Sequence, residues 1–230
     1  NNQRISVTQR QSALDARDLA ERGWSGEQIK EKLETTRFDS SIYITVDTLK
    51  YLKKGGRITP AAAALGTLLK IKPVLTIQGE KLDAFAKART MKQAKTIMLT
   101  ALAHDLEDRL ADPKAEHTYL QIAHTCSEQA AQELEETVRE LYPGVPVFGA
   151  PLSLSIGCHI GPGALAVACT RKLKELEERG AIVKNNEILV IPSVNPSSMN
   201  ISKRFWPTDD TDINRMYPGD PGGETTKRIA

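Results

Sequence analysis

A histidine set among glycines, Gly157-Cys-His-Ile-Gly-Pro-Gly-Ala-Leu165, is the stretch of this chain whose residue types best suit chemistry. Ahead of it, Pro151 to Ile156 carries apolar residues at alternate places, Leu152, Leu154 and Ile156, as a short strand does. Behind it, Ala164-Leu-Ala-Val-Ala-Cys-Thr170 runs on as a helix. The whole therefore reads as strand, tight glycine turn and helix N-terminus, with Pro162 near the first helical position. A helix N-terminus offers free backbone N–H groups and a partial positive charge. His159 adds a donor whose charge changes near neutral pH. Together these suit a carboxylate or a phosphate. The competing reading needs no ligand: a glycine turn beside a buried helix, with His159 satisfied by backbone. Cys158 beside His159 is a poor nucleophile pair, because neighbours on an extended segment point apart.

Other candidates are weaker. His124 closes a β-branched and apolar run, the place where open α/β sheets bind ligands, and could face the same cleft as His159. A buried, hydrogen-bonded histidine is its simpler role. Lys53, Lys54 and Arg57 form a small basic group after a short amphipathic helix, either solvated or the rim of a site for an acidic group.

The elements that must position these residues follow from periodicity and capping. An apolar stripe at Leu14, Ala16, Leu19 and Ala20 predicts a helix, and Ser25-Gly-Glu-Gln28 a capping box for the next. Ser41 to Val46 reads as a buried strand, Thr48 to Lys54 as a short helix, and Pro60 to Leu65 as a small-residue run that packs closely. Lys72 to Ile77 and Lys81 to Phe85 form a hairpin, and Thr90 to Leu110 one long helix. Thr118 to His124 is a strand, followed by a helix from Ser127 as N-cap to Leu141. The order predicts α/β layers: a mixed sheet with flanking helices, then a short α/β fragment with a long loop.

Bulk properties narrow the function. With 31 basic against 29 acidic residues the net charge is +2, without the concentrated basic patch of a nucleic-acid groove. No apolar run approaches the ~18 residues of an integral membrane segment. Cys126, Cys158 and Cys169 lack metal-ligand spacing and fit a reducing compartment, and no leader is visible, so a cytoplasmic location is expected. The first residue is Asn1 rather than Met, from which an upstream segment is expected.

Four segments resemble the DegV family of bacterial fatty-acid-binding proteins. They are Val46-Asp-Thr-Leu-Lys-Tyr-Leu-Lys-Lys-Gly-Gly-Arg-Ile58, Leu65-Gly-Thr-Leu-Leu-Lys-Ile-Lys-Pro-Val-Leu75, Lys87-Ala-Arg-Thr-Met-Lys-Gln-Ala94 and the His159 stretch. The resemblance covers roughly residues 1–171. It implies a long-chain fatty acid held in an apolar tunnel between two domains, its carboxylate presented to a fatty-acid kinase. His159 would then bind the headgroup, with Gly161 and Gly163 shaping the loop, and Arg57 and Arg89 as a rim for headgroup or partner. Ala61 to Leu69, Leu152 and Leu154 would wall the tail. The sequence departs from the family at Ile160, often Thr there, and lacks the motifs of the family's N-terminal domain. The resemblance implies neither catalysis nor a cofactor.

A second resemblance covers residues 172–230. Pro192-Ser-Val-Asn-Pro196, Lys203-Arg-Phe-Trp-Pro207 and Thr211-Asp-Ile-Asn-Arg-Met-Tyr-Pro-Gly219 are similar to the succinylglutamate desuccinylase/aspartoacylase family of zinc-dependent deacylases. It implies that Arg204, Asn214 and Arg215 hold a substrate carboxylate. That alternative function, hydrolysis of N-acyl amino acids on zinc, is disfavoured because the H-x-x-E ligand pair is absent: Pro162 stands three residues after His159, and no histidine follows. The two resemblances meet within what reads as one helix, Pro162 to Arg179, as in a recombined reading frame.

Overall fold

Strand β1, Ser40–Thr45, is buried at every position, as a breaker-free β-branched run between two sheet neighbours must be. The computed structural model describes residues 2–65, 71–77 and 81–177. Five further strands join β1: β2 (Lys72–Ile77), β3 (Leu82–Ala88), β4 (Thr118–His124), β5 (Val147–Pro151) and β6 (Leu165–Arg171). They lie in the order β3-β2-β1-β6-β4-β5. Only β4 and β5 run parallel, so the sheet is mixed, as expected.

Alternation along the strands divides the core between two faces. On one face Leu120, Ile122, Leu165, Val167 and Cys169 pack under α5 (Met91–His104) and α6 (Glu128–Leu141). On the other, Ile42, Ile44, Ala123, Ala166 and Ala168 pack under four helices. These are α1 (Ser6–Glu21), α3 (Lys50–Lys54), α4 (Pro60–Leu65) and α7 (Leu154–Ile160). Helix α2 (Gly26–Thr35) lies on α1, and α8 (Lys174–Glu177) follows β6.

Capping explains several boundaries. Ser25 and Gln28 form the full capping box at α2, and Thr90 caps α5 through the Gln93 N–H. Ser127 stands at the N-cap of α6, but its hydroxyl donates to the Thr125 carbonyl instead and caps nothing. The long helix expected to Leu110 loosens after His104 into a π-helical turn, Asp105–Arg109. That turn places Asp105 where it accepts from the Tyr43 hydroxyl at 2.7 Å and from Arg109 Nε at 2.9 Å. Burial opposes charge on Asp105, yet the bonds from Arg109, Ser41 and Tyr43 outweigh it and hold the carboxyl below its ordinary value.

The largest departure from expectation lies in residues 151–171. Ala164 to Thr170 is not a helix but falls in the buried strand β6, and the strand expected over Pro151 to Ile156 and the turn expected from Gly157 give way to helix α7 from Leu154 to Ile160. Helix propensity favours alanine, but β6 pairs on both sides, with β1 and β4. Its alanines face the helices of the second face, where small side chains let α1 approach. The predicted helix from Pro162 to Arg179 is therefore interrupted: strand β6 takes Leu165–Arg171, and among the described residues of that span only Lys174–Glu177 is helical.

Helix α1 meets the sheet through polar groups. Gln121 Nε2 donates to the Val7 carbonyl at 2.9 Å and Thr170 Oγ1 to Gln121 Oε1 at 3.1 Å. Asp15, 1% exposed, accepts from Gln11 Nε2 at 2.8 Å, while its Oδ2 has no partner among the described residues. Burial pushes its pKa to about 6, against the opposing effects of Gln11 and Arg4, with Asp18 adding to the rise. The unfolded value lies near 3.9, so the folded state holds this proton more tightly. Its contribution is therefore most favourable below about pH 4 and is lost as pH rises through 6. Asp15→Asn should match the parent chain near pH 4 and exceed it by up to about 3 kcal/mol above pH 7. Urea unfolding across that range checks this; a difference independent of pH would contradict it.

Candidate functional site

The strand registers bring the ends of all six strands together at one end of the sheet. Thr45 pairs with Leu165 and Val74, Leu165 with His124, His124 with Pro151, and Lys72 with Ala88. From this end project the segment after β1 with Asp47, the turn Gly161–Gly163 before β6, Thr125 after β4, and Arg89 after β3.

The turn does not carry the backbone anion site expected of it. His159 lies in the last turn of α7, and the helix ends at Gly161 instead of beginning there. The nearby helix end is thus the one carrying partial negative charge. Its amides are also already bonded. Gly161 N donates to Gly157 O at 2.7 Å, Gly163 N to Thr125 O at 2.8 Å, and Ala164 N to Thr125 Oγ1 at 3.0 Å. Pro162 has no N–H to offer. An anion at this turn must be held by side chains.

Two basic side chains are placed to do so. A Cβ built on Gly55 would stand 3.2 Å from His159 Nδ1 and 3.5 Å from Arg57 Cγ, so the half-buried imidazole and Arg57 flank the same glycine. Helix α3, which ends just before Gly55, and helix α7, which carries His159, pack against each other. Lys53, Lys54 and Arg57 are exposed around it. Arg89 is exposed at the same end of the sheet but on the edge strand, and no contact joins it to His159 among the described residues.

The glycines are required by what lies against them. Gly161 has φ +78°, and a Cβ there would stand 2.5 Å from the Tyr51 ring. Gly163 has φ +83°, and its Cβ would strike the carboxylate of Asp47, which is paired with Lys72. Spacing alone does not mark Asp47 and Tyr51 as members of this constellation, nor Thr125 at all. Thr125 is buried; its hydroxyl donates to the Gly161 carbonyl at 2.6 Å and its own N–H to the Ala164 carbonyl at 3.0 Å. Its partners stand 36 and 39 residues away, so no local pattern announces it.

Other expectations are corrected. His124 shares the strand side of Leu120 and Ile122, the face of α5 and α6, whereas His159 belongs to the opposite face. The two histidines do not share a cleft. His124 is buried as expected, but its Nδ1 has no partner among the described residues. Leu152 is partly buried against the second face, whereas Leu154 is 83% exposed. Ile160 is buried in that core. Residues 66–69, Arg204, Asn214 and Arg215 lie outside the described residues.

Gly161→Ala forces a backbone conformation reserved for glycine and displaces Tyr51. A loss of about 2–3 kcal/mol is expected, since such strain costs of order 1–3 kcal/mol by itself. Denaturant unfolding with tyrosine-ring NMR checks it; an unchanged midpoint would show that the turn adapts freely.

The same architecture recurs in solved structures. The fatty-acid-binding DegV of Bacillus subtilis superposes with a TM-score of 0.64 at 30% identity, over 75% of this chain and 59% of that one. A DegV family protein from Thermus thermophilus, described for its fatty acid binding, gives 0.62 at 31% identity over 74% and 59%. Among curated proteins, a DegV domain-containing protein of Clostridium perfringens is 36% identical over 161 residues, 70% of this chain and 53% of its own length. DegV of Bacillus subtilis is 33% identical over 156 residues, 67% and 53%. The chain thus spans about half the length of the curated relatives it matches. The DegV family matches residues 2–172 as a whole, the same residues that carry the sheet and the His159 turn, and to that family the chain belongs.

Proposed function

We propose that residues 1–171 form a lipid-binding domain that takes a long-chain fatty acid, its carboxylate at His159 and Arg57 and its tail along the alanine-rich second face. The observation that carries this reading is the approach of His159 Nδ1 to Gly55, two residues before Arg57, near the sheet end where the strand termini converge. An imidazolium or guanidinium donating to a carboxylate makes a charge-assisted bond, stronger than a neutral one. Leu152 and Ile156, only partly buried at the margin of the second face, supply apolar surface for the tail beside it. Each CH₂ buried there would contribute about 0.8 kcal/mol. The solved relatives that bind fatty acids support the same reading.

Gly161 and Gly163 belong to this site as spacers that admit Tyr51 and Asp47, not as amide donors. Exposed Arg57 and Arg89 fit the rim that an acyl-phosphorylating kinase partner would meet. The site binds and presents; no covalent step is assigned to its residues. Among the described residues no helix is long and apolar enough to cross a membrane. The deacylase reading rests on residues 172–230, most of them outside the described residues, and no observation favours it. Among the described residues no group of three His, Cys, Asp or Glu could hold zinc.

Native mass spectrometry of the full chain after bacterial expression should show a stoichiometric fatty-acid adduct. His159→Ala and Arg57→Gln should each weaken oleate binding by roughly tenfold or more, the loss of a hydrogen bond to a charged group. A folded chain without an adduct and without oleate affinity would end this reading.

A further inference from the structure

We infer that Thr125 is the positioning residue of the His159 site. This rests on the fatty-acid reading for its ligand but not for its geometry. Thr125 is buried at the end of β4 and reaches the His159 segment at both ends. Its Cγ2 lies 3.9 Å from where a Gly157 Cβ would stand, two residues before His159. Its Oγ1 donates to the Gly161 carbonyl at 2.6 Å, two residues after it. The same oxygen accepts from Ala164 N at 3.0 Å, and the Thr125 carbonyl accepts from Gly163 N at 2.8 Å. Four contacts from one residue thus bracket His159 from Gly157 to Ala164.

The chemistry explains why a threonine stands there. A hydroxyl both donates and accepts, and this one uses both capacities on a single turn. Its methyl meanwhile meets α7 at a glycine. Serine would keep the bonds and lose the methyl contact; valine would keep the shape and leave the Gly161 carbonyl and Ala164 N–H unbonded in a buried place. Because the turn's amides face inward onto Thr125 and Gly157, the imidazole is the element of this segment left to meet a ligand. Its direction is set by where Thr125 holds Gly161. Thr125 touches no ligand itself.

The experiment uses the full chain with Thr125→Val and Thr125→Ser. The first readout is the His159 imidazole signal by NMR without ligand, and the second is affinity for oleate and for oleyl alcohol, which shares the chain but lacks the charge. Thr125→Val should move the His159 ring resonances and weaken oleate roughly tenfold, as loss of a headgroup bond does, while leaving the alcohol unchanged; Thr125→Ser should restore the parent behaviour. Unmoved His159 resonances in a folded Thr125→Val chain overturn the inference whatever the ligands do. Equal loss of acid and alcohol also overturns it, by showing a general structural role. If the parent chain binds neither ligand while the His159 signal still moves, the fatty-acid reading fails and the positioning role stands.

Discussion

Strand β6 is buried from Leu165 to Thr170, and a buried backbone must find partners for every N–H and C=O. It does so by pairing with β1 on one side and β4 on the other. Much else follows from that requirement. The chain must enter β6 at the sheet end where β4 leaves, so the glycine segment before it becomes a turn. Residues 154–160, which precede that turn, lie over the second face as a short helix. His159 arrives at the site from the C-terminal end of α7, and the backbone polarity there opposes an anion instead of attracting one.

That polarity shifts the burden of recognition from backbone to side chains. In helix-N-terminal anion sites the amides are aimed outward at the ligand. In this turn they are aimed inward, at Gly157 and Thr125. What remains beside the turn is the His159 imidazole next to Gly55, with Lys53, Lys54 and Arg57 exposed nearby. Gly161 and Gly163 serve the same arrangement through close packing, since Tyr51 and Asp47 occupy the space that side chains would need.

The two faces of the sheet are stabilised differently. Under α5 and α6 the core is large and aliphatic, and the buried carboxyl of Asp105 there is engaged by Tyr43 and Arg109. Cys169 in that core has its thiol pushed up to about 12 by burial, so it stays protonated and unreactive. Under α1 the contact includes polar groups, with one oxygen of Asp15 unpartnered among the described residues.

Local patterns in the sequence determined most of the elements: the capping box at Ser25, the hairpin of β2 and β3, the buried strands β1 and β4, and the helices after Thr90 and Ser127. The motif residues also singled out His159, Arg57 and the glycines, which lie near one end of the sheet. Tertiary structure decided the direction in which that site is built. An alanine-rich heptad such as Ala164 to Thr170 suits a helix by propensity and a strand by burial, and only pairing with β1 and β4 resolves the two. The side on which His124 lies, the approach of His159 to Gly55, and the grip of Thr125 depend on contacts between residues far apart in the chain, where no periodicity reaches.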